Sequence, residues 1–269
     1  MAKFEPFIRW AGGKTWLVPY LEKIISPIEM RHYHEPFLGG GAIFFNTNHA
    51  LRSYLSDTNE ELINAYICVK NNPEEVALIM RGYQNTEEEY YRIRNLIPND
   101  ENERAARFIF LNQTSYNGLY RVNQQGQYNV PYGGRLWNFS PEKIRLASLR
   151  LKNTNIRVCD FEGNKYKIQP HDLVFLDPPY TVTHNNNGFI KYNRNLFSLD
   201  DQYRLSQFID YIKRKGAYYI LTNAAHQTIA DIFEKDDRRI ELQRASLIGG
   251  RKARRGSVAE YIFTNIPEG

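Results

Sequence analysis

The sequence predicts an α/β fold: a mainly parallel sheet that carries a helical and β-hairpin insertion. Three observations predict it. An apolar run, Leu173-Val174-Phe175-Leu176, reads as a buried strand and ends on Asp177-Pro178-Pro179-Tyr180. A second strand-like stretch runs into Glu35-Pro36-Phe37-Leu38-Gly39-Gly40-Gly41 and then an apolar helix. Between these two landmarks, residues 60–112 have a helical pattern, and a polar, aromatic segment follows. In open α/β sheets ligands collect beyond the carboxyl ends of strands, so both strand ends are candidate sites.

Bulk properties narrow the class. A chain of 269 residues suits one large α/β domain, or one domain with a substantial insertion. Hydrophobic residues make up 42% and charged residues 24%, the balance of a globular protein. A net charge of +5 favours a polyanionic partner. Tyrosine occurs 19 times, which suits base stacking and core packing equally. Cys68 and Cys159 are far apart, with no C-x-x-C spacing, so neither a disulfide framework nor a cysteine zinc site is expected. The first ten residues lack an apolar leader, and no run is long enough to span a membrane. A reducing cytoplasm is the expected setting.

The elements follow in order. Trp10-Ala11-Gly12-Gly13-Lys14 invites comparison with a phosphate-binding loop, but Ile8 stands where that loop needs its first glycine. A turn at Gly12-Gly13 is the better reading, with Lys14 opening a helix and placed to pair with a ligand carboxylate. At Gly39 to Gly41 a strand-to-helix turn lets a ligand approach the backbone. Phosphate, zwitterion and ribose remain open there, and the third position of a G-x-G-x-x-G is Phe44, which argues against an ordinary dinucleotide fold. Residues 53–57 read as a strand ending in Asp57, roughly 20 residues after the glycine turn, where an acid typically binds ribose hydroxyls. Helix capping by Asp57 or Asn59 is the plain alternative.

Helices are expected at 60–70, 73–81, 86–96 and 102–111. Then come Tyr116-Asn117-Gly118-Leu119-Tyr120-Arg121-Val122-Asn123 and Asn129-Val130-Pro131-Tyr132-Gly133-Gly134-Arg135, two β-like pieces joined by a turn at Gln125-Gly126. Asparagine, glutamine and arginine read base edges, and tyrosine or leucine can wedge into a base stack. A plain polar surface hairpin is the alternative. A helix at 141–150 and a strand at 156–161 follow; the strand ends in Asp160-Phe161, an acceptor and a ring suited to flank a purine. Beyond the Asp-Pro-Pro-Tyr motif lie an asparagine-rich loop (181–191), a helix (200–215), a strand (217–223), a helix from His226 and two closing strands (239–242 and 258–264). His226 reads as structural, since no second ligand is suitably spaced. Arg251 and Lys252 sit in a basic, glycine-rich loop suited to phosphate contacts.

At the principal motif, the Asp177 carboxylate can accept from a planar amine, the prolines leave carbonyls able to accept, and Tyr180 offers a stacking face. Alone, the motif reads equally as a strand-ending turn with a capping acid. Taken together, Phe7 to Lys14, Glu35 to Gly41, Ser56-Asp57 and Asp177 to Tyr180 resemble the Dam family of DNA adenine-N6 methyltransferases, of the D12 class and alpha group, over nearly the whole chain. Tyr116-Asn117-Gly118-Leu119-x-Arg121 and Asn129-Val130-Pro131-Tyr132-Gly133 extend the likeness into the hairpin.

The resemblance implies a Rossmann-like S-adenosylmethionine-dependent methyltransferase sheet. Residues 1–59 and 151–269 would form the catalytic domain and 60–150 the target-recognition domain. It implies S-adenosyl-L-methionine as cofactor, held by Trp10, Ala11, Gly12, Lys14, Glu35, Pro36, Phe37, Gly39, Gly41, Asp57, Asp160, Phe161 and Asp177. It implies double-stranded DNA as partner, touched by Tyr116, Asn117, Gly118, Leu119, Arg121, Asn123, Pro131, Arg135, Arg251 and Lys252. Asp177, Pro178, Pro179 and Tyr180 would act on a flipped-out adenine. No metal, covalent intermediate or membrane is required, and a cytoplasmic monomer, of a prokaryotic cell or a phage, is expected. The implied target is GATC or a related site. Gly134 stands where many GATC-specific relatives carry arginine, however, and Arg135 comes one residue later. Either Arg135 compensates through a shifted loop or the recognised site differs. Two other readings are an inactive DNA-binding protein on this fold and a methyltransferase of RNA or protein, although the latter usually carries Asn-Pro-Pro-Tyr.

Overall fold

A computed structural model describes residues 4–47, 51–180, 197–245 and 257–268. The expected loops at 181–191 and 249–256 lie outside the described residues, and with them Arg251 and Lys252. The strands are β1 (His32–Glu35), β2 (Arg52–Asp57), β3 (Thr154–Val158), β4 (Leu173–Leu176), β5 (Tyr218–Ala224), β6 (Arg238–Ala245) and β7 (Ser257–Thr264). They make a seven-stranded sheet in the order β3-β2-β1-β4-β5-β7-β6. This is the mixed α/β architecture expected.

The chain groups into two compact units. The first comprises Met1–Glu22 and Leu38–Phe161. Here β2 and β3 pair in parallel, with Asp57 opposite Val158, and Cys159 N–H extends the ladder to the Asp57 carbonyl at 3.1 Å. The helices are α2 (Ala42–Asn46), α3 (Glu60–Asn71), α4 (Pro73–Arg81), α5 (Glu87–Asn95), α6 (Glu101–Thr114) and α7 (Pro141–Leu151). Their starts follow from local chemistry. Asn59, Thr86 and Asp100 cap α3, α5 and α6 by accepting backbone N–H bonds, and Pro73 and Pro141 occupy first turns, where no N–H is needed. Lys14 does not open an α-helix directly: a 3-10 turn, Thr15–Leu17, precedes α1 (Val18–Ile25).

The segment after α6 is less regular than a two-stranded hairpin. A 3-10 turn at Tyr116–Gly118 is followed by isolated antiparallel pairs, Val122 with Tyr128 and Ser115 with Tyr132. Backbone bonds join the two pieces, from Tyr116 N–H to the Pro131 carbonyl at 2.9 Å, Asn123 N–H to the Gln127 carbonyl at 2.9 Å and Asn129 N–H to the Arg121 carbonyl at 3.0 Å. Side chains add to them: Tyr90 OH donates to the Val130 carbonyl at 2.8 Å and Tyr128 OH to the Leu119 carbonyl at 2.6 Å. Tyr90, Ile93, Phe110, Leu111, Tyr128 and Val130 form a buried core, with Tyr83, Tyr91, Tyr120, Tyr132 and Trp137 packed against it. Much of the tyrosine excess is therefore structural cement for this segment.

The second unit comprises Lys23–Phe37 and Glu162–Gly269. Strands β1, β4 and β5 run parallel; β7 is antiparallel to β5 and β6 antiparallel to β7. The order of the sheet reverses between β1 and β4, the switch point at which α/β sheets open a crevice beyond their carboxyl ends. Helix α8 (Leu199–Arg214) starts with a capping box of Ser198 and Asp201, and α9 (Gln227–Phe233) is capped by His226, whose Nδ1 accepts the Thr228 N–H at 3.2 Å. His226 thus has the structural role expected. At the amino-terminal end of β4, Asp172 is fully buried between His34 (2.9 Å) and His32 (3.1 Å). Burial drives the His34 pKa down, outweighing the opposing pull of Asp172.

Candidate active site

In the first unit the site begins at the glycine turn. Gly39 (φ +47°) and Gly41 (φ +66°) adopt left-handed backbone that side chains rarely tolerate. At Gly39 space is limiting as well, because a Cβ there would lie 2.7 Å from Trp10 Cδ1. Trp10, half-buried, therefore abuts the turn directly, and Tyr66 OH fixes the Gly39 carbonyl at 3.1 Å. Lys14 is buried and donates through Nζ to the Gly12 carbonyl at 3.2 Å. Ala11 and Gly12 are exposed. No strand runs into Gly12 within residues 4–14, so the chain here is not a phosphate-binding loop.

Asp57, at the carboxyl end of β2, is bound to the same turn: Oδ2 accepts Gly39 N–H at 3.0 Å and Oδ1 accepts Asn59 N–H at 3.0 Å. The helix cap belongs to Asn59, whose Oδ1 accepts Leu62 N–H at 2.9 Å. The choice between two capping acceptors is thus settled, and Asp57 serves the turn. Burial pushes its pKa up, against backbone hydrogen bonds from Gly39, Asn59 and Thr58. An ionised carboxylate offers about four lone-pair sites, so accepting these three N–H groups leaves room for a hydroxyl. Asp160 and Phe161 lie just past β3, next to the end of β2; Phe161 is buried and Asp160 exposed.

In the second unit, Glu35 ends β1 and is buried, with Tyr33 OH donating to its Oε2 at 2.7 Å. Pro36 is buried, and Phe37 packs edge-on against Phe197 at 5.7 Å. On the neighbouring strand, Asp177 directly follows β4. Thr222 Oγ1, on β5, donates to Asp177 Oδ1 at 2.7 Å and aims the carboxylate. Tyr180 OH donates to Glu260 Oε2 at 2.6 Å, and Glu260 is buried. Pro178 is buried and Pro179 half-buried. Thr222 and Glu260 were not among the residues expected from the sequence. Thr222 sits late in an apolar strand of clear pattern, but nothing in its spacing links it to Asp177.

The recognition segment belongs to the first unit. Tyr116, Asn117, Arg121, Pro131 and Arg135 are exposed; Leu119 and Asn123 are half-buried; Gly118 is buried. Arg121 donates to Asn129 Oδ1 at 2.7 Å and to its carbonyl at 3.2 Å, which holds the guanidinium in place. Burial and the neighbouring cation of Arg135 both lower the pKa of Arg9. Asn85 Nδ2 donates to the Arg135 carbonyl at 2.9 Å, and Tyr132 OH donates to the Asn85 carbonyl at 3.1 Å. Among the described residues, no group of three His, Cys, Asp or Glu could hold a metal ion, and no helix is long and apolar enough to cross a membrane.

Comparison with known proteins shows the family. Residues 10–246 match the family described as D12 class N6 adenine-specific DNA methyltransferase. The chain is 34% identical over 274 aligned positions to the type II methyltransferase M1.LlaDCHI of Lactococcus lactis subsp. cremoris, covering 97% of this chain and 95% of that protein. It is 37% identical to the type II methyltransferase M.MjaIII of Methanocaldococcus jannaschii, covering 82% and 84%. It is 29% identical to the DNA adenine methylase of Escherichia coli strain K12, covering 85% and 83%. A glycine turn tied to Asp57, an acid aimed at the end of β4 and a match across most of the chain agree: the protein belongs to the D12 class of N6 adenine-specific DNA methyltransferases.

Proposed function

We propose that the chain transfers a methyl group from S-adenosyl-L-methionine to N6 of an adenine flipped out of duplex DNA. The observation that carries this reading is Asp177, set at the end of β4 beside the reversal point of the sheet and aimed by Thr222. The donor set of the first unit fits the cofactor. The buried Lys14 ammonium suits a carboxylate, the glycine turn admits a close approach, Asp57 suits a hydroxyl, and Asp160 with Phe161 suits an adenine. Glu35 and Phe37, which belong to the second unit, are the remaining residues we assign to the cofactor. Bound there, the cofactor supplies an electrophilic methyl group on a sulfonium.

The protein's own work is positioning. Asp177 and the Pro178 carbonyl accept hydrogen bonds from the adenine amine, which keeps the nitrogen lone pair out of ring conjugation and directed at the methyl. Tyr180, its hydroxyl tied to Glu260, stacks on the flipped base. Holding two reactants in line removes most of the entropic barrier to a direct displacement. We further propose that residues 60–150 read the DNA, with Tyr116, Asn117, Leu119, Arg121, Asn123 and Arg135 at the contact. Arg251 and Lys252 would add phosphate contacts.

A tritiated-methyl transfer assay on unmethylated duplex DNA, followed by sequencing of the methylated product, tests the reading and identifies the site. Asp177→Ala should abolish transfer and leave DNA binding largely intact. A variant that still methylates at the wild-type rate refutes the assignment.

A further inference from the structure

Asn112, fully buried in α6, is placed as a bridge between the two halves of the first unit's chemistry. Its Oδ1 accepts Arg9 N–H at 2.8 Å, and its Nδ2 donates to the Arg9 carbonyl at 2.7 Å. A side-chain amide thus pairs with Arg9 as a neighbouring strand would. The same NH2 reaches the Gly118 carbonyl at 3.3 Å, which uses both of its protons. One residue on, Gln113 Nε2 donates to the Phe7 carbonyl at 2.6 Å.

Three further contacts follow the same line. Trp10 stacks on Tyr120, with centroids 5.7 Å apart and planes at 22°. The same indole abuts Gly39 of the glycine turn. Gly118, at φ +64°, lies so close to Arg9 that a Cβ would come within 2.8 Å of the Arg9 side chain. Glycine turn, Trp10, Arg9, Asn112 and the 3-10 turn at Tyr116–Gly118 therefore form one continuous, hydrogen-bonded and stacked element.

We infer that Asn112 is a positioning residue that couples the methyl-donor segment to the base-reading turn, so that donor binding and target binding strengthen each other. The inference rests on the proposed roles of Trp10 and Lys14 toward the donor and of Tyr116 to Arg121 toward DNA. A donor that orders Trp10 and the glycine turn also orders Arg9. Through Asn112 it then removes part of the ordering cost of the turn that meets DNA. Such coupling is reciprocal in binding free energy.

The test is titration calorimetry with S-adenosylhomocysteine, which has no methyl group to transfer, with and without a duplex carrying the site the wild type methylates. For the wild type, the duplex should tighten S-adenosylhomocysteine binding by about fivefold or more. In Asn112→Ala, and in Tyr120→Leu, which loses the stack on Trp10, that ratio should fall toward one while cooperative melting persists. A residue that only stabilises the fold would weaken both affinities through the folded fraction and leave their ratio unchanged. If Asn112→Ala does not fold, Tyr120→Leu decides. A wild-type ratio of one, or a wild-type ratio retained in a folded variant, overturns the coupling. A Trp10→Ala chain that binds S-adenosylhomocysteine normally without DNA shows instead that the donor assignment beneath the proposal is wrong, and the proposal falls with it.

Discussion

Thr222 Oγ1 donates to Asp177 Oδ1 at 2.7 Å, so a hydroxyl on β5 sets the direction of the carboxylate at the end of β4. If Asp177 holds the target amine, its rotamer governs where the nitrogen lone pair points. Thr222→Val keeps the shape and removes the hydrogen bond. The turnover number should drop about 10- to 100-fold, as expected for a misplacement on the scale of an ångström, with little change in KM for DNA. Thr222→Ser, which restores the donor, should recover most of the rate. Equal kcat values for the valine variant and the wild type would show that Thr222 does not position the acid.

Asp57 supplies a prediction in pH. Its folded pKa lies above its unfolded value, because burial outweighs the N–H bonds from Gly39, Asn59 and Thr58. The folded chain therefore holds this proton more tightly. The stability it contributes is fully present below the unfolded value of about 3.9 and is lost as pH rises through the folded value. Donor binding runs in the opposite direction, since hydroxyls bind an ionised acceptor more strongly than a protonated one: affinity should rise with pH through the same folded value. S-adenosylhomocysteine titrations and urea midpoints across mildly acid to neutral pH would measure both, and Asp57→Asn should flatten both. A wild-type donor affinity that falls as pH rises contradicts the ribose assignment. Asn59→Ala, by contrast, removes only the cap of α3 and should cost about 1 kcal/mol of stability with no change in either pH dependence.

Which parts could be read from the sequence follows from the range of the interactions. Asn59, Asp100 and Ser198 cap helices through neighbours two or three residues away, so those starts were legible. The strand end at Asp177 was legible because the apolar run Leu173–Leu176 stops there, and those at Glu35 and Asp57 because a glycine turn and a helix follow them. Thr222 and Asp177 are 45 residues apart, and no local pattern couples them. The same holds for Asn112 and Arg9, 103 residues apart. The two β-like pieces of the recognition segment and the turn between them were legible, but not that they would pair only through isolated bridges, with tyrosine hydroxyls sharing in the satisfaction of the backbone. Its tyrosines divide between the two uses open to them: Tyr128 is buried in a core shared with Tyr90 of α5, while Tyr116 is exposed.

The cysteines should differ sharply in reactivity. Burial, with Glu101 and Asp100 nearby, pushes the Cys68 thiol up to about 11, and its Sγ contacts the Glu101 carbonyl at 3.4 Å. Thiolate is the reactive form, so Cys68 should be inert at neutral pH in the folded chain. Cys159 is half-buried and directly precedes Asp160 at the end of β3. A chromogenic disulfide reagent should therefore titrate one thiol rapidly and the second only in denaturant. Mapping by mass spectrometry should place the fast label on Cys159, and S-adenosylhomocysteine should slow it. Two fast thiols, or a fast Cys68, would contradict the burial of α3's inner face.

The last prediction concerns target choice. The Arg135 carbonyl is fixed by Asn85 Nδ2 at 2.9 Å, and Asn85 is itself held by the Tyr132 hydroxyl. Arg135 is exposed and follows Gly134, whose φ of +62° turns the chain. This brace gives Arg135 a fixed origin although the residue lies one position later than the resemblance to the Dam family leads one to expect. If Arg135 reads a base, Arg135→Ala should relax discrimination at one base pair by about 1–3 kcal/mol. Asn85→Ala, which frees the loop and leaves the guanidinium intact, should relax the same base pair by less. A phosphate contact predicts something else: a uniform loss of affinity across sequences and a smaller salt dependence. Sequencing methylated adenines after incubation with genomic DNA separates the outcomes. Unchanged site preference in both variants would remove Arg135 from the reading surface and place discrimination on Tyr116 to Asn123.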